Sequence, residues 1–368
     1  MSEQPVRTGL PVRDDLVGRT PYGAPQLPDA IQLNVNENPF PPSAALVADL
    51  QRAVGEIAGT LHRYPDREAA ALRADLASYL SRRTGVRLTM EQVWAANGSN
   101  EVLQQVCQAF GGPGRVALGF EPSYSMHPLL AAGTNTGWRV APRASDFTLS
   151  VETAVAAVEL HRPAVTFLTT PNNPTGTVTE LDVVEAVCAT SAGVVVVDEA
   201  YAEFCSGPSA VTLLDRHPML LVSRTMSKAF AGAGLRLGYL AASPEVVDAL
   251  RLVRLPYHLS ALTQAAARIA LAYEDELLGS VEAVKEQRNR MVAGVRRLGL
   301  TVLPTEANFL LFGPFASPEL VWQQLLDHGV LVRDVSSGPG LAGWLRVNAG
   351  TPAETTAFLT ALEAVASA

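Results

Sequence analysis

Short unbroken apolar runs alternate with stretches of helical spacing through the middle of the chain. Residues 115–119 (RVALG), 164–169 (AVTFLT) and 193–197 (GVVVV) read as strands, and residues 219–223 (MLLVS) and 237–241 (LGYLA) continue the series. Runs of this kind, with no polar alternation, predict parallel strands buried on both faces. Ala- and Val-rich segments between them, such as 180–190, carry helical spacing. Strand–helix alternation predicts a three-layer α/β unit with a mostly parallel sheet. The last third has a different rhythm. A long helical pattern over 274–298 precedes a strand-like run at 307–312 and a helix over 318–328. Strands around 330–332 and 344–347 and a final helix follow. This predicts a smaller α+β unit. The division expected is an N-terminal arm over 1–30, a large unit over 31–255 and a small one over 256–368.

Composition narrows the class. Of 368 residues 48% are hydrophobic, which supplies a sizeable core and argues for more than one domain. Lys and Arg number 28 against 36 Asp and Glu, a net charge of −8. A surface of that sign repels nucleic acid and anionic lipid, so neither is expected as a partner. No apolar run reaches the ~18 residues of a membrane span, and the first ten residues carry no export signature. Three scattered cysteines, Cys107, Cys188 and Cys205, do not make a disulfide framework. They point to a reducing cytoplasm. The histidines show no metal-ligand spacing, so no metal site is expected.

Four segments carry candidate chemistry. Asp198 closes the valine run, at the end of a buried strand where α/β folds place their sites; the plain alternative is a helix cap. Ser223-Arg-Thr-Met-Ser-Lys228 follows the next strand, with Gly232, Gly234 and Arg236 after it. Lys228 is a surface lysine or a residue that forms a Schiff base with a carbonyl. Hydroxyls with a forked cation suit a phosphate dianion, and the pattern is not a Walker A loop. Asn97-Gly-Ser-Asn-Glu101 opens a helical run, so it offers free backbone N–H groups to an anion, forms a capping box, or does both. Thr170-Pro-Asn-Asn-Pro-Thr-Gly176 is by itself a turn.

In this order, with Asp198-Glu-Ala-Tyr201 and Ser227-Lys-Ala-Phe230, the segments resemble the fold-type-I pyridoxal 5'-phosphate (PLP) aminotransferases over nearly the whole chain. Within them the chain most resembles the histidinol-phosphate aminotransferase family. The motifs behind this are Asn34-Val-Asn-Glu-Asn-Pro-Phe40, Arg63-Tyr64-Pro-Asp66, Pro122-Ser-Tyr124, Leu255-Pro-Tyr-His-Leu-Ser260, Gly329-Val-Leu-Val-Arg333-Asp334 and Leu345-Arg346. Trp94-Ala-Ala-Asn-Gly-Ser-Asn100 resembles the actinobacterial branch.

The resemblance implies a PLP-binding large domain and the following roles. Lys228 links to the cofactor and carries the proton. Asp198 pairs with the pyridine nitrogen, and Tyr201 and Asn173 with the ring 3'-oxygen. Tyr124 stacks on the ring. Ser99, Asn100, Thr225, Ser227 and Arg236 hold the phosphate. Tyr64 reaches the neighbouring subunit's cofactor across a homodimer interface. Arg346, assisted by Arg333 and Tyr22, binds the substrate anion; the alternative for Arg333 is a surface pair with Asp334. Phe230 and Tyr257 are packing or contact residues. Asn100 stands where many relatives carry Asp, a swap that a backbone contact tolerates. Histidinol phosphate and 2-oxoglutarate are the implied substrates. An aromatic amino acid aminotransferase, a PLP decarboxylase and a regulator with an aminotransferase-like sensor are the rivals; an arm of ~30 residues is too short for a DNA-binding domain.

Overall fold

The computed structural model describes residues 11–18 and 23–367; Tyr22, expected at the substrate, lies outside them. Strand β1 (Ile31–Gln32) precedes helices α1 (Ala44–Ala58) and α2 (Ala70–Thr84). The alternating region runs β2 (Val93–Ala96), α3 (Ser99–Phe110), β3 (Val116–Glu121), α4 (Met126–Gly133), β4 (Gly137–Pro142), α5 (Val151–His161), β5 (Val165–Thr169), α6 (Leu181–Thr190), β6 (Val194–Asp198), β7 (Leu220–Thr225) and β8 (Gly238–Ala241). Then come α7 (Pro244–Val253), α8 (Ala261–Ala272), α9 (Glu274–Arg297), β9 (Thr301–Val302), β10 (Phe309–Gly313), α10 (Pro318–Asp327), β11 (Val330–Leu331), β12 (Arg333–Asp334), β13 (Leu345–Asn348) and α11 (Pro352–Ala366).

A seven-stranded sheet has the order β2-β8-β7-β6-β5-β3-β4. The valine run explains its centre. Val194 and Val196 pack into one buried cluster with α3 and α7, and Val195 and Val197 into another with α2 and α6. A strand buried on both faces has no polar side to show, hence no alternation in its sequence. One expectation is corrected here: β8, residues 237–241 in the sequence reading, is antiparallel to both β7 and β2. A parallel neighbour needs a crossover, usually a helix. The Lys228 loop that joins β7 to β8 contains only a short 3-10 turn, Ala233–Leu235, so the chain turns straight back.

The smaller sheet, β12-β13-β10-β9, is antiparallel. Residues 31–32 pair not with the large sheet but with β11, and α8 packs on α1 and α2. The chain on either side of the site is thus stitched together at two places. The final helix starts on a complete capping box, with Thr351 and Glu354 satisfying each other's backbone N–H groups.

Candidate active site

The carboxyl ends of β5, β6 and β7, the start of α3 and the facing strands β12 and β13 enclose a cavity of about 800 Å³. Its walls include Ser99, Asn100, Tyr124, Asn173, Asp198, Tyr201, Thr225, Ser227, Lys228, Arg236, Arg333 and Arg346. Parallel strands deliver their following loops to one edge, which brings Asn173, Asp198 and Lys228 together; Arg333 and Arg346 reach the same cavity from the separate antiparallel sheet.

Asp198 is buried at 3% exposure and caps no helix. Its Oδ2 lies 3.2 Å from His127 Nε2, and its Oδ1 is buried with no hydrogen-bond partner among the described residues. A buried carboxylate oxygen left unpaired costs free energy unless a ligand donor completes it. His127 was not singled out in the sequence. It sits three residues after Tyr124 on the first turn of α4, stacked on Phe167 at 4.5 Å. A histidine one helical turn from a motif tyrosine was the available signal.

Lys228 Nζ donates to the Val35 carbonyl at 3.0 Å. Burial, then the charge of Arg346, lowers its pKa to about 8 from the ordinary lysine value. Glu37 opposes the shift and Arg236 adds to it. A neutral amine is the form that attacks a carbonyl or takes a proton. The Tyr201 hydroxyl accepts from Asn36 Nδ2 at 2.9 Å and from Asn173 Nδ2 at 3.5 Å. Asn36 therefore joins the site, a residue that lay inside a quoted motif without an assigned role.

At the carboxyl end of β7 the hydroxyls assemble. Thr225 Oγ1 donates to Ser227 Oγ at 3.0 Å, and Arg236 Nη1 donates to the same oxygen at 3.4 Å. Helix α3 begins beside them with Gly98 as its cap and no side-chain cap. Glu101 accepts the Asn97 N–H at 2.6 Å, one residue before the cap, so no capping box forms and the N–H groups at the helix start stay available to an anion. Close approach demands two glycines. A Cβ on Gly98 would lie 2.7 Å from Arg236 Nη2, and one on Gly238 would lie 2.0 Å from Ser99 N. Free N–H groups at a helix start, two hydroxyls and a guanidinium form a cup whose donors suit a phosphate. The Tyr124 hydroxyl donates to Asn100 Oδ1 at 3.2 Å, so the Asn100 side chain, not only its backbone, has work that an Asp could also do.

The opposite wall is cationic. Arg333 and Arg346 are direct cross-strand partners on β12 and β13, and both line the cavity. Arg346 Nη1 donates to Asn173 Oδ1 at 2.6 Å and Nη2 to the Asn34 carbonyl at 2.8 Å. Its guanidinium also lies 5.3 Å from the Phe309 ring centroid. Arg333 donates to the Gly23 carbonyl at 3.2 Å. It forms no pair with Asp334, which instead accepts the Ser336 N–H at 2.8 Å; successive strand residues face opposite ways. Like charges directly opposite each other on a sheet repel, so an anion between them is favoured.

Tyr64 is not in this cavity. It is 79% exposed and stacks on Tyr257 at 4.4 Å. Phe230 is a packing residue, 3% exposed and edge-on to Tyr79.

The sequence profile described as aminotransferase class I and II matches residues 28–362. The chain belongs to this aminotransferase family. This aminotransferase is 61% identical over 360 residues to the histidinol-phosphate aminotransferase of Frankia casuarinae, covering 96% of this chain and 90% of that one. It is 59% identical to the enzyme of the same name from Mycolicibacterium smegmatis, covering 96% and 92%. Among solved structures it resembles the histidinol-phosphate aminotransferase of Sinorhizobium meliloti in complex with pyridoxal-5'-phosphate. That match has a TM-score of 0.81 and 26% identity, over 92% of this chain and 91% of that one. Aspartate aminotransferase from Thermus thermophilus shares the fold at 22% identity and a TM-score of 0.79.

Proposed function

We propose that this aminotransferase uses PLP to move an amino group between histidinol phosphate and 2-oxoglutarate. The observation that carries the substrate reading is the Arg333–Arg346 pair: two guanidinium groups on one wall suit a phosphate as well as a carboxylate. The names of the relatives at 61% and 59% identity support the same reading.

The residues fit the cofactor. Asp198 Oδ1 lacks a partner and matches a protonated ring nitrogen. The cup at Ser99, Asn100, Thr225, Ser227 and Arg236 matches a phosphate, and Lys228, which lines the same cavity, would be the Schiff-base residue. Bound PLP supplies an electron-withdrawing ring that acidifies the substrate Cα–H. The chain does the rest. Asp198 keeps the proton on the ring nitrogen, and His127 steadies its other oxygen. Tyr201, with Asn36 and Asn173 on its hydroxyl, would pair with the ring 3'-oxygen. Lys228 would take the substrate Cα proton and return it at the cofactor carbon, as base and then acid. Its lowered pKa leaves a useful neutral fraction near pH 7. Arg346 orients the anion in both half-reactions; the two substrates use the one site in turn, so the kinetics are ping-pong. A substrate panel with 2-oxoglutarate as acceptor tests the reading. The kcat/KM for histidinol phosphate exceeds that for phenylalanine; the reverse order makes the chain an aromatic amino acid aminotransferase, and carbon dioxide release without keto-acid consumption makes it a decarboxylase.

We further infer a homodimer in a reducing cytoplasm, with Tyr64 completing the partner's phosphate cup. The support is an apolar group out of reach of its own cavity: Tyr64 with Tyr257, and Leu61 and Leu255 at 54% and 73% exposure. An isologous contact would cover it twice over. Mixing inactive Lys228→Ala chains with inactive Tyr64→Ala chains restores activity in verified hybrids; hybrids without activity count against sharing.

A further inference from the structure

On the far side of the sheet from the cavity lies a buried ionic cluster that the reaction does not use. Arg224 is 4% exposed, between Ser223 and the cup residue Thr225; Glu199, 2% exposed, directly follows Asp198. Arg224 Nε donates to Glu199 Oε2 at 2.8 Å, and Nη2 comes within 2.7 Å of the same oxygen. Its Nη1 donates to Glu203 Oε1 at 2.9 Å and Nη2 to Ser209 Oγ at 2.9 Å. Glu199 also accepts from the Ala210 N–H and Ser209 Oγ, both at 2.7 Å, and Glu203 from the Tyr79 hydroxyl at 3.2 Å. Burial disfavours the charge on Arg224, but Glu199 and Glu203 more than offset that and hold the guanidinium above its ordinary value.

The strand pleat gives this cluster its meaning. Along β6, Val194, Val196 and Asp198 face the cavity side, and Val195, Val197 and Glu199 the other. Along β7, Leu221, Ser223 and Thr225 share the cavity side, whereas Leu220, Val222 and Arg224 do not. The ladder between the two strands ends with the Asp198–Ser223 pair and the Glu199 N–H on the Ser223 carbonyl at 2.9 Å. Thr225 lies past that end, and the Glu199–Arg224 fork ties the two strands on the side facing away from the ligand. A buried ion pair is weak evidence for stability, because its desolvation cost rivals its attraction. A fixed distance is a better account of it.

We propose that Glu199, Arg224 and Glu203 are positioning residues that set the spacing between Asp198 and Thr225. They thereby favour a ligand carrying a ring nitrogen and a phosphate that far apart. The inference rests on the PLP reading above. The cup moves as one body, because Thr225, Ser227 and Arg236 are bonded to one another. Loosening the tie therefore spares ligands that use the cup alone and weakens those that span both anchors.

The test compares wild type with Arg224→Lys, which keeps the charge and loses the fork, and with Glu203→Gln, which keeps the shape. The ligands are pyridoxine 5'-phosphate, which has both groups but no aldehyde for Lys228, and inorganic phosphate. In Arg224→Lys the Kd for pyridoxine 5'-phosphate rises about 10-fold or more, while that for phosphate stays within about twofold. Glu203→Gln shifts the same ratio about threefold, and carries the test alone if Arg224→Lys does not fold. Equal losses for both ligands, or a lower melting temperature with unchanged affinities, overturn the proposal. If wild type binds PLP tightly, either of those results sinks this inference alone. A wild-type chain that does not bind PLP sinks the cofactor reading and this inference with it.

Discussion

Asp198 and Arg346 face one cavity from different sheets, and they are held in opposite ways. Asp198 has one oxygen on His127 and the other without a partner. Arg346 already donates to the Asn173 amide oxygen and the Asn34 carbonyl. The first arrangement suits a ligand that stays, because the gap it fills is costly when empty. The second suits ligands that come and go. Neutral acceptors keep the guanidinium extended and give way to a carboxylate or phosphate, whose charge-assisted bonds are stronger. On the proposed reading the large sheet carries the cofactor end and the small sheet an exchangeable anion end.

Three variants sharpen or break this comparison. Lys228→Ala has the largest effect. Losing the proton carrier alone costs about 10²–10⁴-fold in kcat, and loss of the covalent anchor adds to it. The preformed cup still retains PLP, which equilibrium dialysis measures; loss of all binding would mean that the cup contributes little. Asp198→Asn comes next. It removes a charge-assisted bond of about 1.5–3 kcal/mol, or roughly 10- to 150-fold, and the loss falls on kcat more than on KM. A near-normal kcat removes Asp198 from the role given. Arg333→Gln is the mildest. Half-buried and bonded only to the Gly23 carbonyl in the described structure, Arg333 sits at the lower end of that range. The kcat/KM for histidinol phosphate falls about tenfold. That for phenylalanine falls less, because its carboxylate keeps Arg346. Equal losses on both substrates make Arg333 scaffold, not part of an exchangeable site.

The legibility of the two ends differed for the same reason. Asp198, Lys228, Thr225, Ser227 and Arg236 come from two adjacent strand ends, so their motifs read as local words. His127 went unread because its partner Asp198 is 71 residues away. Asn36 went unread because its link to Tyr201 spans 165 residues. The direction of β8 also escaped the pattern of apolar residues. A short buried strand looks alike in either direction, and only the connecting loop tells them apart.

By itself the sequence determined the alternation of strands and helices, the burial of the valine strand on both faces and the side-chain chemistry at each strand end. These follow from periodicity and residue type, which are local. Only the tertiary structure decided that Asp198 keeps one oxygen unpaired, that Arg333 stands opposite Arg346 instead of pairing with Asp334, and that Arg224 turns away from the cavity to meet Glu199 and Glu203. Each of these depends on strand register and on which face of a sheet a residue takes, and a one-residue shift would reverse them all.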